Sequence, residues 1–95
     1  MPPGVYTGKE NTMDFQHERS RIYKTDNDGN TIAEITFPET SPGVFTIDHT
    51  FVDDSLRRQG VAGKLVQAAV DEIREYGGDV RATCSYAVSW LAKNK

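Results

Sequence analysis

The fold is decided by residues 44–84, which read VFTIDHTFVDDSLRRQGVAGKLVQAAVDEIREYGGDVRATC. Residues 44–52 are rich in β-branched and aromatic side chains, which favours a strand. From residue 60 to 76 the apolar positions recur three and four apart, the spacing of one helix face; they are Val61, Ala62, Leu65, Val66, Ala69, Ile73 and Tyr76. Gly77-Gly78 ends this helix, and residues 80–84 read as a short strand. The segment therefore predicts a βαβ crossover, right-handed and with parallel strands.

Upstream of this unit, the pattern predicts an antiparallel meander. Apolar and polar residues roughly alternate over 13–25, which indicates one or two strands. The run DNDGN at 26–30 is a strong turn signal, because Asn, Asp and Gly tolerate the left-handed conformations of tight hairpins. Residues 31–37 read as the return strand, and PETSPG at 38–43 as a second turn. The strand over 44–52 then completes three antiparallel strands.

The C-terminal residues predict a last helix, for which Ser85 is a plausible N-cap. It carries Tyr86, Val88, Trp90 and Leu91. Residues 1–12 mix Pro, Gly, Thr, Asn and Lys without a period and are expected to form a flexible leader. We therefore predict one α+β domain over 13–95, with a mixed sheet.

Composition excludes several classes of protein. The 95 residues are 37% apolar and 26% charged, which is typical of a folded domain. No apolar run approaches the roughly 18 residues of a membrane helix, and the N-terminus is not a secretory signal. A single cysteine, Cys84, excludes an internal disulfide, and with His17 and His49 it makes no convincing metal site. The expected compartment is the cytoplasm.

The charge is unevenly distributed. Residues 1–54 carry four Lys/Arg and ten Asp/Glu, a balance of −6, whereas residues 55–95 carry seven and four, a balance of +3. The net charge of −3 argues against a general nucleic-acid binder. A basic second half on an acidic chain suggests a local anion site, although a chance distribution of solvated charges is an equal alternative.

The loop before the long helix carries the chemistry. Residues 53–64 place two glycines and three basic residues at a helix N-terminus, where unpaired N–H groups and the macrodipole attract anions such as pyrophosphate. The loop is not a Walker loop, since Leu65 follows Gly63-Lys64, and Gly60-x-x-Gly63 does not fill the dinucleotide fingerprint. The pattern that fits is Arg/Gln-x-x-Gly-x-Gly/Ala, in residues 57–62.

This loop resembles the acetyl-CoA pyrophosphate loop of the GCN5-related N-acetyltransferases. The strand His49-Thr50-Phe51-Val52 and the segment Cys84-Ser85-Tyr86 are similar to those of a short subfamily of roughly 100-residue domains. The resemblance covers about residues 20–94. It implies a small mixed sheet that splays between the strand ending near Val52 and the strand ending near Cys84, with coenzyme A lying in the gap.

The resemblance also implies the site residues. The cofactor-binding set comprises Thr50, Phe51, Val52, Arg57, Arg58, Gln59, Gly60, Val61, Ala62, Gly63 and Lys64, mainly through backbone N–H groups. The catalytic set comprises Cys84, His49 and Tyr86. Cys84 is either a small buried apolar residue or a reactive thiol at a helix N-terminus, which would accept the acetyl group or protonate the departing CoA thiolate. His49 is either structural or a base, and Tyr86 is either a packing residue or an acid to the CoA thiolate.

Other residues keep simpler interpretations. Asp53 and Asp54 are loop and capping residues, because neighbours on an extended chain point to opposite sides; Arg57 could pair with either. Trp90 is a core residue or a wall of the groove, and Lys93 belongs to a solvated tail or meets a CoA phosphate.

The implied function is an acetyl-CoA-dependent N-acetyltransferase of minimal size. It would transfer acetyl from a CoA thioester to an unidentified amine, on a protein tail or a small molecule, directly or through Cys84, without nucleic-acid or membrane partners. The alternative is a non-catalytic CoA or acyl-CoA-binding sensor or accessory module. A third interpretation is an interaction domain in which the glycine-rich loop merely begins a helix.

Overall fold

Seven strands and two helices follow one another in the computed structural model, which describes residues 15–56 and 59–94. The strands are β1 (Gln16–Glu18), β2 (Arg21–Thr25), β3 (Thr31–Thr36), β4 (Glu39–Ser41), β5 (Val44–Ile47), β6 (His49–Val52) and β7 (Asp79–Ala82). A 3₁₀ turn (Asp54–Leu56) precedes α1 (Val61–Glu75), and α2 (Ser85–Lys93) follows β7. The predicted leader over 1–12 lies outside the described residues.

The predicted strand over 44–52 is wrong in one respect, because it is divided at Asp48. β6 pairs antiparallel with β3 in a sheet of order β1-β2-β3-β6, whereas β5 belongs to a sheet of order β4-β5-β7. Asp48 holds the junction: its N–H donates to the Thr36 carbonyl, and its carboxylate accepts the Thr36 hydroxyl. The strand β4, inside the segment predicted as a turn, pairs with β5.

The crossover is confirmed with β5 and β7 as its parallel strands. Their register runs from Val44 opposite Asp79 to Ile47 opposite Ala82. Beyond this pair, the Ile47 carbonyl accepts the N–H groups of both Thr83 and Cys84, at 3.0 and 3.2 Å. The ladder therefore ends on one carbonyl, at the point where the chain leaves for the other sheet.

One face of α1 fills the core against the sheet residues. The buried positions of the helix are Val61, Leu65, Val66, Ala69, Val70 and Ile73. They pack in one cluster with sheet residues that include Ile22, Ala33, Ile35, Phe45 and Ile47. Two residues of the predicted stripe lie outside the core: Ala62 is half-buried and Tyr76 is exposed. Ala62 lies instead against the candidate site described below.

The C-terminus of α1 and the N-terminus of α2 end without side-chain caps. At the end of α1, Gly77 has φ +77°, and the N–H groups of Gly77 and Gly78 donate to the carbonyls of Arg74 and Ile73. This is a Schellman ending, so the predicted Gly-Gly stop is confirmed. The N-cap of α2 is Cys84 and not Ser85, and no side chain caps it. Ser85 is already the first helical residue.

Neither helix of the described segments is long and apolar enough to cross a membrane.

We predict that Gly78→Ala destabilises the fold by about 1–3 kcal/mol, the usual cost of overpacking a closed core. A Cβ there would lie 2.8 Å from the buried Phe45 ring and 3.1 Å from the Gly43 carbonyl oxygen. Gly63→Ala is the matched control, since its Cβ would have no neighbour closer than 3.5 Å and alanine favours the helix. Urea unfolding of both variants checks the sign, and equal stabilities would contradict it.

Candidate active site

A cleft of about 490 Å³ opens where the chain leaves the parallel pair of β5 and β7 and enters β6. It is lined by Thr50, Val52, Leu56, Gly60, Val61, Ala62, Gly63 and Tyr86, which come from β6, the 3₁₀ turn, the start of α1 and the start of α2. Within the described residues β6 pairs only with β3, so its other edge carries no strand. The cleft is thus bounded by an unpaired strand edge and by two helix N-termini.

The N-terminus of α1 gives the cleft its electrostatic character. Gly60 is the N-cap, with φ +70° and ψ +20°, a left-handed conformation that glycine adopts without strain. Its carbonyl accepts the Lys64 N–H at 3.1 Å, the first bond of the helix. The N–H groups before Lys64 therefore have no partner inside the helix, and they carry the positive end of its dipole. Such an end suits a phosphate group.

The predicted phosphate loop is only partly described. Arg57 and Arg58 lie outside the described residues, whereas Gln59 is exposed and its amide reaches back to the Ser55 carbonyl at 3.5 Å. The four residues from Gly60 to Gly63 all line the cleft, as do Thr50 and Val52. Six of the eleven predicted cofactor-binding residues therefore meet in one place.

Cys84 sits beside the cleft, between β7 and α2. Burial raises the pKa of its thiol, but nearby donor groups, namely the Ala87 backbone N–H, the Thr50 hydroxyl and the Tyr86 and Thr50 backbone N–H groups, favour the thiolate and outweigh burial, so the pKa lies below its ordinary value. Two of these groups belong to the first turn of α2, whose dipole favours a thiolate. Cys84 is the only cysteine of the chain, so it is the one thiol that could act as a nucleophile at the cleft.

Tyr86 and His49 lie on different sides of the sheet. Tyr86 lines the cleft, and its hydroxyl would be 3.5 Å from a Cβ at Gly63. His49 alternates with Thr50 along β6 and lies on the opposite face, where its Nε2 is 3.5 Å from Glu34 Oε1. Phe51 lines up with Glu34 across the strands and is exposed. The structure thus brings Thr50 and Cys84 together but separates the predicted base from both.

The segment before the phosphate loop is held by Asp53. Its carboxylate accepts the Ser55 N–H at 3.0 Å, and its carbonyl accepts the Leu56 N–H at 2.9 Å. The bond from Ser55 is the main reason why the pKa of Asp53 is lowered. The capping interpretation of Asp53 is confirmed, and its consequence is the position of Leu56, a cleft residue that the sequence analysis missed. The only sequence signal for Leu56 is that it is an apolar residue in an otherwise polar and charged loop.

The structure also places two C-terminal residues considered in the sequence analysis, Trp90 and Lys93. Trp90 is half-buried against the core, and its indole nitrogen would be 3.6 Å from a Cβ at Gly63. It lines a second cavity of about 480 Å³ beside β7, and not the cleft. The packing interpretation of Trp90 is therefore confirmed. Lys93 is exposed at the end of α2.

Comparisons with known proteins agree on a family. The family model described as GCN5-related N-acetyl-transferase matches residues 21–95. The solution structure of a GCN5-like N-acetyltransferase candidate from Staphylococcus aureus is 36% identical, with a TM-score of 0.71, and the match covers 85% of this chain and 79% of that one. No curated protein matches this chain.

Two more distant structures share the fold alone. The IAA acetyltransferase from Bacillus cereus is 20% identical with a TM-score of 0.60, over 77% of this chain and 51% of that one. An acyl-CoA N-acyltransferase candidate from Klebsiella pneumoniae is 15% identical with a TM-score of 0.61, over 78% and 55%. In both cases the match spans only about half of the longer protein.

We predict that iodoacetamide alkylates Cys84 at a pH where an ordinary thiol is still protonated. Only the thiolate reacts, and the folded environment lowers the pKa of this thiol. The alkylation rate of the native protein should therefore level off at a lower pH than that of the same protein in urea. Superimposable pH profiles would show that the helix N-terminus and Thr50 do not act on the sulfur.

Proposed function

The chain belongs to the GCN5-related N-acetyltransferase family, and we propose that it transfers the acetyl group of acetyl-CoA to an amine at the cleft. The observation that carries this proposal is the convergence of three groups within a short stretch of structure. These are the N-terminus of α1, the unpaired edge of β6 and the Cys84 thiol. An anion, an extended amide chain and a thioester are the three parts of acetyl-CoA that such groups would recognise.

The phosphates would lie at the start of α1. Unpaired N–H groups donate to phosphate oxygens, and the absence of side chains at Gly60 and Gly63 lets the backbone approach them. The pantetheine amides would pair with the free edge of β6 at Thr50 and Val52, in the manner of an added strand. This mode of binding uses main-chain groups, so it does not depend on which side chains the loop carries.

Acetyl-CoA supplies an acetyl thioester that an amine can attack directly. In the variant that we favour, the Cys84 thiolate attacks the thioester carbonyl, the bond from that carbon to the CoA sulfur breaks, and the acetyl group moves to Sγ. The CoA thiolate takes a proton, for which the Tyr86 hydroxyl in the cleft is the proposed donor. The acceptor amine then attacks the S-acetyl group and restores Cys84.

His49 is assigned a role on the acceptor side. It lies on the face opposite the cleft, half-exposed and 3.5 Å from the Glu34 carboxylate. A neutral imidazole there could remove the proton from an acceptor ammonium that arrives from this face. An acceptor that arrives from this face would not compete with acetyl-CoA for one entrance.

We predict that Ala62→Glu abolishes acetyl-CoA binding measured by calorimetry. The new carboxylate would occupy the cleft and place a negative charge at the proposed phosphate position. Ala92→Glu is the control, because Ala92 is exposed on α2 and lines neither cavity. Both variants should melt like the wild type. Undiminished binding by Ala62→Glu would show that the cleft is not the cofactor site.

We predict that acetyl-CoA alone adds one acetyl group to the wild-type protein, detected by intact mass, and that Cys84→Ser shows no such thioester adduct. Treatment with neutral hydroxylamine should remove the adduct, because thioesters are cleaved and amides are not. Calorimetry should show that Cys84→Ser still binds acetyl-CoA. Binding with no adduct and no acetylation of any amine in a screen would favour the alternative function, a CoA-binding module without turnover.

A further inference from the structure

The Thr50 hydroxyl is an anomaly in the cleft. Its Oγ1 is fully buried, and it has no conventional hydrogen-bond partner among the described residues. A buried hydroxyl without a partner is destabilising, whereas valine has the same shape and would fill the position without that penalty. The strand propensity of threonine is no explanation, because valine favours strands at least as well. The hydroxyl is therefore retained at a cost to the fold.

The sulfur of Cys84 is the polar atom that this hydroxyl approaches. Both the hydroxyl and the backbone N–H of Thr50 act on the thiol and lower its pKa. No acceptor among the described residues, the Cys84 sulfur included, meets the hydroxyl at hydrogen-bond geometry in this structure, and a neutral thiol is too weak an acceptor to draw it closer. A thiolate is a far stronger acceptor, and hydrogen bonds to charged groups are roughly twice as strong as neutral ones. The hydroxyl thus gains its partner only when Cys84 ionises.

We propose that Thr50 is a positioning residue whose side-chain hydroxyl donates to the Cys84 thiolate and so selects the form of the sulfur that accepts the acetyl group. The part of this inference that concerns acetyl transfer rests on the proposed function. Its geometric part does not, because it concerns two residues of the free protein. Thr50 then acts twice: its backbone borders the cleft on the edge of β6, and its side chain prepares the nucleophile.

Charged side chains do not explain the acidity of this thiol. The titratable groups on the elements that meet there are His49 on β6, Asp79 and Arg81 on β7, and Tyr86 and Lys93 on α2. Asp79 begins β7 and Lys93 ends α2, so each lies at the end of its element away from Cys84. His49 lies on the opposite face of the sheet. The Arg81 guanidinium turns back to the Val80 carbonyl, at 3.2 Å. Tyr86 lowers the pKa of the Cys84 thiol through its backbone and not through its hydroxyl. The hydroxyl and the N–H groups are thus the groups to test.

The test uses Thr50→Val and Thr50→Ser in the protein without acetyl-CoA. The rate of alkylation by iodoacetamide is measured from pH 5 to pH 10, together with the melting temperature. In Thr50→Val we expect the profile to move to higher pH and the rate at pH 7 to fall about tenfold, the loss of one hydrogen bond to a charged group. The melting temperature should stay equal or rise. Thr50→Ser, which keeps the hydroxyl, should retain the wild-type profile.

Thr46→Val is the matched control, because its hydroxyl already pairs with Thr40 at 2.8 Å on β4. It should lower the melting temperature and leave the alkylation profile unchanged. If Thr50→Val instead lowers the melting temperature and leaves the profile unchanged, Thr50 is merely structural and the proposal is wrong.

A single-turnover measurement separates this proposal from the proposed function. Mixing acetyl-CoA with Thr50→Val should slow formation of the acetyl adduct by the same factor as alkylation. If the wild type forms no adduct but Thr50→Val still shifts the alkylation profile, acetyl transfer through Cys84 fails and the interaction between Thr50 and the thiolate stands. If the adduct forms and neither rate responds to Thr50→Val, the function stands and the role of Thr50 fails.

Discussion

The Ile47 carbonyl oxygen is the atom on which the rest of the structure depends. It accepts the N–H groups of both Thr83 and Cys84, so it ends the parallel ladder and starts the turn into α2. One residue later, Asp48 passes the chain to the other sheet through its bonds with Thr36. A ladder that continued would have joined β6 to the end of β7 and closed the cleft. The separation of the two sheets is therefore what opens the cleft.

The same junction explains why side chains at the site face in two directions. Successive residues of β6 alternate between faces, so Thr50 turns towards Cys84 while His49 turns towards Glu34. The glycine-rich start of α1 lies only on the first of these sides. A reaction between a cofactor held there and an acceptor held beyond His49 would take place across the thickness of one sheet.

Local sequence patterns predicted the helices and strands well. They failed where the structure depends on contacts between residues that are distant in the chain. The helical period, the Gly77-Gly78 stop and the crossover all follow from near neighbours in the chain, and the structure confirms them. The division at Asp48 was missed because every residue around it favours a strand. What changes there is the partner strand, which a single sequence does not record. Cys84 was missed as an N-cap because the turn is held by the Ile47 carbonyl and not by a capping side chain.

The residues that lower the local stability of this fold are not distributed evenly over the structure. Gly60 gives up helix propensity for a left-handed N-cap, Thr50 buries a hydroxyl without a partner, and Cys84 half-buries a thiol whose pKa is lowered. All three lie at or beside the cleft, whereas the core cluster consists of apolar residues in ordinary contact. Departures from local stability rules collect where a site is being prepared. Since valine would fill the Thr50 position without burying an unpartnered hydroxyl, the clustering is better explained by the chemistry of the site than by the needs of folding.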